Sequence, residues 1–112
     1  MRRHLTTAFA CLTVSFALSV PAQAQSLPRY DVEAYCRTVA EVSGGSAMIF
    51  NGCIDMEQDA YDGLKRDWAG VPQSTREYCD MVAGVSGHSY SILAGCVDIE
   101  TDAAGAPSVF TY

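Results

Sequence analysis

Apolar residues recur at steps of three and four positions in four separate stretches of the chain, which is the spacing of amphipathic helices. Asp31 is a suitable N-cap for the first stretch, and we expect a helix from there to about Val42. Ser46 can cap the second stretch, which Gly70 and Pro72 end. The few residues between the two stretches leave room only for a turn, so the pattern predicts an antiparallel helical hairpin.

The same pattern is then repeated with a period of 43 residues. Ser74 and Glu77 form a capping box for a third helix, and Ser89 can cap a fourth helix that Gly105 and Pro107 end. The chain is therefore a tandem duplication, and we predict an all-α fold in which two disulfide-linked hairpins form a small four-helix module. Identical pairs in the two copies include Tyr35 and Tyr78, Cys36 and Cys79, Gly44 and Gly87, Gly52 and Gly95, Cys53 and Cys96, and Glu57 and Glu100.

The second copy is shorter than the first. We place repeat 1 at about 30–68, repeat 2 at about 74–104 and a C-terminal tail at 105–112. Counterparts of Leu64 and Trp68 are missing from the second copy. Because the tail is apolar, we expect it to fold back over the gap that the missing residues leave.

The four cysteines of the two copies are predicted to form one disulfide within each hairpin. Cys36 and Cys53 are equally distant from the middle of the first turn, and Cys79 and Cys96 from the middle of the second. Equal rise along antiparallel helices places the two cysteines of a pair at the same height. We expect the glycine before the second cysteine of each pair to let the helices approach. The long spacing within each pair matches neither the C-x-x-C of redox sites nor the usual spacing of zinc ligands.

Residues 1–24 have the pattern of a secretory signal peptide. Arg2 and Arg3 precede a short apolar run, and Ala22-Gln23-Ala24 is a cleavage site of the A-x-A type. We expect the mature chain to begin at Gln25, to form a single domain over 25–112, and to be periplasmic or secreted. Such compartments are oxidising, which favours disulfides over free thiols.

Removal of the leader leaves five basic residues against thirteen acidic ones, a formal net charge of −8. A surface of this charge repels phosphate backbones and anionic lipids. We therefore expect no nucleic acid partner and no stable membrane insertion after signal cleavage.

The titratable residues give no catalytic constellation, no cofactor site and no metal site. Asp55, Asp59 and Asp62 share one helix face, which we interpret as a solvated acidic face, with weak cation binding as the alternative. Glu57 and Glu100 fall near the apolar face instead. We expect each of these two carboxylates to be a buried acceptor for a tyrosine or for helix-start amides.

Two further features concern the places where the copies differ. His88 replaces Gly45 in the second turn, and we interpret it as an exposed turn residue. Tyr61, Leu64 and Trp68 form a candidate interaction patch, with core packing as the alternative interpretation. We also expect Met56 and its equivalent Ile99 to lie on the buried side of their helices, with the other apolar residues.

These motifs resemble those of a group of small proteins of Gram-negative bacteria that carry a signal peptide and a duplicated cysteine hairpin. The resemblance rests on the tyrosine-cysteine and glycine-cysteine pairs of each copy and covers Tyr30 to Ala104. It implies the architecture and no particular activity. We interpret the chain as an exported, non-enzymatic interaction or envelope-associated protein with a protein partner. The alternatives are an acidic inhibitor of a secreted cationic enzyme and a weak metal-binding protein.

Overall fold

A computed structural model describes residues 26–112, so the predicted signal peptide lies outside the described residues. Within that range the chain forms four helices and no strand, which confirms the all-α prediction. The helices are α1 (Val32–Glu41), α2 (Ala47–Asp67), α3 (Gln73–Val85) and α4 (Tyr90–Gly105), and a 3-10 turn (Trp68–Gly70) follows α2. Helices α1 and α2 pack as one hairpin, α3 and α4 as the other, and α2 packs against α4 to join them.

Three of the four predicted N-caps are confirmed. The Asp31 carboxylate accepts from the N–H of Ala34 at 3.0 Å, and the Ser46 and Ser89 hydroxyls accept from amides three residues on, each at 3.3 Å. Each of these bonds satisfies a first-turn N–H that has no partner within its own helix.

The fourth N-cap prediction, at Ser74, is wrong. Helix α3 already begins at Gln73, directly after Pro72, and no side chain in the described part of the chain caps it. Proline has a fixed φ, here −55°, which leads into a helix that begins two residues earlier than a serine cap at 74 would allow. Within the first turn the Gln73 side-chain amide donates to Glu77 at 2.8 Å, which replaces the expected capping box.

Both hairpin turns use two successive residues with positive φ. Gly44 (74°) and Gly45 (80°) form the first turn, and the N–H of Gly45 donates to the carbonyl of Ala40 at 2.9 Å. In the second turn Gly87 (94°) is followed by His88 (63°), the one non-glycine residue with positive φ among those described. A side chain in this conformation is sterically costly, so the backbone of the repeat imposes it on the histidine. The His88 side chain is exposed, as predicted.

The predicted disulfide pairing is confirmed. Cys36 is bonded to Cys53 and Cys79 to Cys96, and the Cα atoms of each pair are 5.5 Å apart. Each bond therefore joins the two helices of one hairpin, and no disulfide of the described chain joins the hairpins to each other.

The core lies between the end of α2 and the second hairpin. Leu64 and Trp68 are each 5% exposed, and the ring centroids of Tyr61 and Tyr90 are 4.9 Å apart. Two of the three residues of the candidate interaction patch, Leu64 and Trp68, are therefore core residues, in agreement with the alternative interpretation of core packing. The buried cluster consists of Leu64, Trp68, Val71, Cys79, Ala83, Tyr90, Leu93 and Val97.

The predicted folding back of the C-terminal tail is wrong. Residues 106–112 are exposed throughout, and Phe110 is 79% exposed. Among the aromatic rings of residues 26–112, the Phe110 ring contacts only that of Tyr112. The reason lies in the direction of the core. Leu64 and Trp68 project from the first repeat toward the second, so missing counterparts would project away from the described hairpins and leave no internal gap to fill.

Candidate functional site

The most extensively hydrogen-bonded side chain between the hairpins is Glu57, which is 2% exposed. Its carboxylate accepts from the hydroxyl of Ser89 and the N–H of Tyr90, each at 2.6 Å, and from the N–H of Ser91 at 3.3 Å. The carboxylate thus caps the start of α4 from a different repeat. The predicted role of Glu57 as a buried acceptor for helix-start amides is confirmed.

The location suits a carboxylate for two reasons. Free N–H groups at a helix start need acceptors, and the positive end of the helix dipole favours a negative charge. Ser89 adds a second link, because its hydroxyl donates to Glu57 and accepts from Ile92 at the same time. A short chain of hydrogen bonds therefore runs from α2 into the first turn of α4.

The equivalent residue in the second copy behaves differently. Glu100 is only partly buried, and its carboxylate accepts no hydrogen bond from any residue of 26–112. The prediction that it is a buried acceptor is wrong. The two hairpins are thus related by sequence but not by a symmetric contact: the first repeat supplies the carboxylate and the second receives it.

The segment before α1, residues 26–31, is hydrogen-bonded to the start of α4 as well, and we call it the lead-in. The Tyr90 hydroxyl donates to the Pro28 carbonyl at 2.8 Å and accepts from the N–H of Tyr30 at 2.9 Å. The Tyr30 hydroxyl donates to Asp80 of α3. Burial, and then the hydrogen bond to Asp80, raise the pKa of Tyr30 well above its ordinary value, and burial raises the pKa of Tyr90. Both hydroxyls are therefore neutral donors at physiological pH.

A groove of about 520 Å³ opens beside this network. It is lined by the lead-in, by Val32 of α1 and Ile54 of α2, and by Glu57 and Tyr90. We call it the lead-in groove.

Each hairpin also carries an apolar groove between its two helices, beside its disulfide. The groove on the first hairpin has a volume of about 340 Å³ and that on the second about 370 Å³. They are equivalent by the 43-residue repeat: every residue that lines the second groove has its counterpart in the first. We call them the hairpin grooves; the lining pairs are Tyr35 and Tyr78, Val39 and Val82, Ile49 and Ile92, Gly52 and Gly95, Cys53 and Cys96, Met56 and Ile99, and Glu57 and Glu100.

The outer edges of the hairpin grooves are exposed. Met56 is 66% exposed and its equivalent Ile99 is 69% exposed. Met48, at one end of the first groove, is 78% exposed. The expectation that Met56 and Ile99 lie on the buried side is wrong, because the helix faces packed against the partner helix and the other hairpin lie elsewhere on α2 and α4.

The two groove glycines do not have the role that we expected. A Cβ atom added at Gly52 or at Gly95 would meet no atom of residues 26–112 within 4 Å, beyond its own helix backbone and chain neighbours. The close approach of the helices at the disulfides therefore does not require glycine. What these glycines do is leave the base of each hairpin groove open, at a cost to helix stability of about 1 kcal/mol each relative to alanine.

The acidic face of α2 forms ordinary surface contacts. Asp62 accepts from Gln58 at 3.0 Å and lies 3.5 Å from the Lys65 ammonium. Over residues 26–112, no group of three or more His, Cys, Asp or Glu side chains is arranged to hold a metal ion. The same stretch contains no helix with the length and apolar character that a membrane span requires.

The hairpin grooves are the feature that reading the sequence missed. One signal was available, namely a glycine in the middle of each amphipathic helix, with an apolar residue four positions later. The sequence alone could not show that none of residues 26–112 fills the space above that glycine.

Comparison of the chain with family models, with curated proteins and with solved structures finds no match. The cysteine-hairpin architecture of the resembled group is present in the structure, and membership of a family is not shown.

Proposed function

We propose that this chain is an exported, non-enzymatic protein-binding module whose hairpin grooves hold an amphipathic, basic segment of a partner protein. The observation that carries the proposal is the pair of groove glycines. Each weakens its helix, neither is needed for internal packing, and both open an apolar groove to the outside.

The rims of the grooves specify the chemistry of the partner. Met56 is next to Asp55 in sequence and lies three residues before Asp59, and both aspartates are exposed. Ile99 has the same arrangement with Asp98 and Asp102, which are also exposed. An apolar groove with an acidic rim matches a segment that has an apolar face and flanking lysine or arginine.

Methionine suits the edge of such a groove. Its unbranched side chain adapts to differently shaped apolar partners. The disulfide beneath each groove holds the helices in place, so little free energy is lost in ordering the site when a partner binds. The predicted signal peptide places this module in the periplasm or outside the cell, where disulfides persist.

A synthetic amphipathic helical peptide of leucine and lysine is a suitable probe, with a scrambled peptide of the same composition as its control. We expect the mature protein to bind the amphipathic peptide, and the affinity to fall with added salt because acidic rim residues contribute. Substitutions Gly52→Leu and Gly95→Leu together fill both grooves and should abolish binding.

Gly63→Ala is the matched control. Gly63 also lies inside α2 but lines neither hairpin groove, and a Cβ there makes only an ordinary contact of 3.6 Å with Arg66. All three positions should gain helix stability from the change. Loss of binding in the groove variants alone then cannot be attributed to unfolding. Equal binding by the groove variants, or by the scrambled peptide, would contradict the proposal.

An inhibitor of a cationic secreted enzyme is a special case of the same proposal. In that case a basic surface of the enzyme supplies the segment that binds, and the acidic rim directs the encounter.

A further inference from the structure

We infer that this chain associates head to tail with further copies of itself, by repeating between molecules the contact that joins its own two hairpins. This inference does not depend on the proposed function. It concerns the two ends of the repeat interface, where Met48 and Glu100 also line the edges of the hairpin grooves.

The internal contact has a direction. Glu57 of the first repeat caps the start of α4 in the second, and Leu64 and Trp68 of the first repeat pack in a cluster with Val71 and Val97. A contact in which each partner uses a different surface is heterologous, and it leaves one unused copy of each surface.

The unused donating surface lies on the second repeat, and we call it the tail surface. It consists of Glu100 and of residues 106–112 beyond α4. The Glu100 carboxylate has no hydrogen-bond partner in the described chain. Val109 is 86% exposed and Phe110 is 79% exposed. Exposed apolar side chains of this size are uncommon at the end of a stack of repeats, where stable proteins have a polar outer face.

The unused receiving surface lies on the first repeat, and we call it the head surface. It begins with Ala47 and Met48, the equivalents of Tyr90 and Ser91. Their N–H groups have no hydrogen-bond partner among residues 26–112, whereas those of Tyr90 and Ser91 donate to Glu57.

By the repeat equivalence, the head surface also includes the lead-in groove. Val71 and Val97 are buried with Leu64 and Trp68, but their first-repeat equivalents Pro28 and Ile54 line the open groove of about 520 Å³. The vacant space in the first repeat thus corresponds to the space that the end of α2 fills in the second.

The 43-residue repeat indicates which segment of a second copy would fill the lead-in groove. A shift of 43 residues takes Glu57 to Glu100, and it takes Leu64 and Trp68 to Pro107 and Thr111. These two positions are not equivalent in side chain, but they flank the exposed apolar Val109 and Phe110 of the tail. Glu100 of one copy would therefore cap α2 of the next, and the apolar tail of the first would lie in the lead-in groove of the second. Because both molecules are acidic, we expect added salt to favour this association, the opposite of its effect on a basic partner.

Two variants test the direction of the contact. Glu100→Gln removes the charge from the tail surface, and Met48→Glu places a carboxylate where the incoming Glu100 would lie. Neither change should unfold the chain. The Glu100 carboxylate has no partner among residues 26–112, and a glutamate at position 48 would lie in the first turn of α2, where an acidic residue is stabilising.

Sedimentation velocity of the mature protein measures the result. We expect wild-type protein to form dimers and longer species as concentration rises, and each variant alone to associate at least roughly tenfold more weakly. A mixture of the two variants should form a 1:1 dimer and nothing larger, because one intact tail surface meets one intact head surface. A wild-type protein that stays monomeric at every concentration, or variants that associate as the wild type does, would overturn the inference; so would a mixture that forms no dimer.

Discussion

Two glutamates at equivalent positions in the repeat have different surroundings in the structure. They should therefore contribute differently to the free energy of unfolding, and this difference can be measured. Glu57 is 2% exposed and accepts three hydrogen bonds from the start of α4. Glu100 is partly exposed and accepts none from the described residues. We predict that Glu57→Ala strongly destabilises the fold and that Glu100→Ala has almost no effect.

The magnitude follows from the contacts. A hydrogen bond to a charged group contributes about 1.5–3 kcal/mol, and leaving a buried donor without an acceptor costs about 1–3 kcal/mol. Because the three bonds converge on one side chain, their contributions do not add fully. We expect a loss of about 3–5 kcal/mol in the free energy of unfolding for Glu57→Ala. For Glu100→Ala we expect a change within about 0.5 kcal/mol.

Urea denaturation followed by far-UV circular dichroism measures both losses under the same conditions, at a protein concentration low enough to keep the chain monomeric. An unchanged dependence on urea shows that the variants unfold in the same way as the wild type. A double-mutant cycle of Glu57→Ala with Ser89→Ala should reveal coupling between the two residues. Equal losses for the two glutamates would refute the directional contact.

Three further predictions follow. Intact mass of the exported protein should show a chain that begins at Gln25, and retention of Met1 would contradict the predicted signal cleavage. Cys53→Ser should lower the free energy of unfolding by about 2–5 kcal/mol, and cleavage between the hairpins of the wild-type protein should separate them without reduction; fragments that stay joined would contradict the pairing. Because folding raises the pKa of Tyr30 above its ordinary value of 10.0, ionisation of this hydroxyl favours the unfolded chain. The contribution of Tyr30 to the free energy of unfolding is therefore complete below about pH 10 and is lost as the pH rises further. Alkaline urea titrations should therefore show stability falling above about pH 10 in the wild type and falling less in Tyr30→Phe; equal slopes would refute the role of Tyr30.

Local features of the fold could be predicted from the sequence because they depend on neighbouring residues. Asp31, Ser46 and Ser89 cap the amides three positions after them, and Gly44 and Gly87 adopt the positive φ of the turns. The disulfide pairing was also predictable, because antiparallel helices of equal rise bring equidistant residues together.

Features that depend on how the hairpins pack could not be predicted in the same way. Glu57 and Glu100 have similar neighbours in sequence, each following a Cys-x-Asp-x run, and the direction of the contact between the hairpins buries one and not the other. The prediction that the tail covers a gap assumes equivalent repeats, whereas the contact between the hairpins has a direction. Met56 and Ile99 fit the apolar spacing of their helices, yet the hairpins leave that side uncovered.

Hydrogen exchange at four amides tests most directly the claim that the repeats are joined by a one-way cap. The N–H groups of Tyr90 and Ser91 are bonded to Glu57, whereas those of Ala47 and Met48 have no partner in the described chain. In dilute protein we predict slow exchange at the first pair and fast exchange at the second, and Glu57→Ala should make the first pair as fast as the second. Equal protection of the two pairs in the wild-type protein would contradict the account.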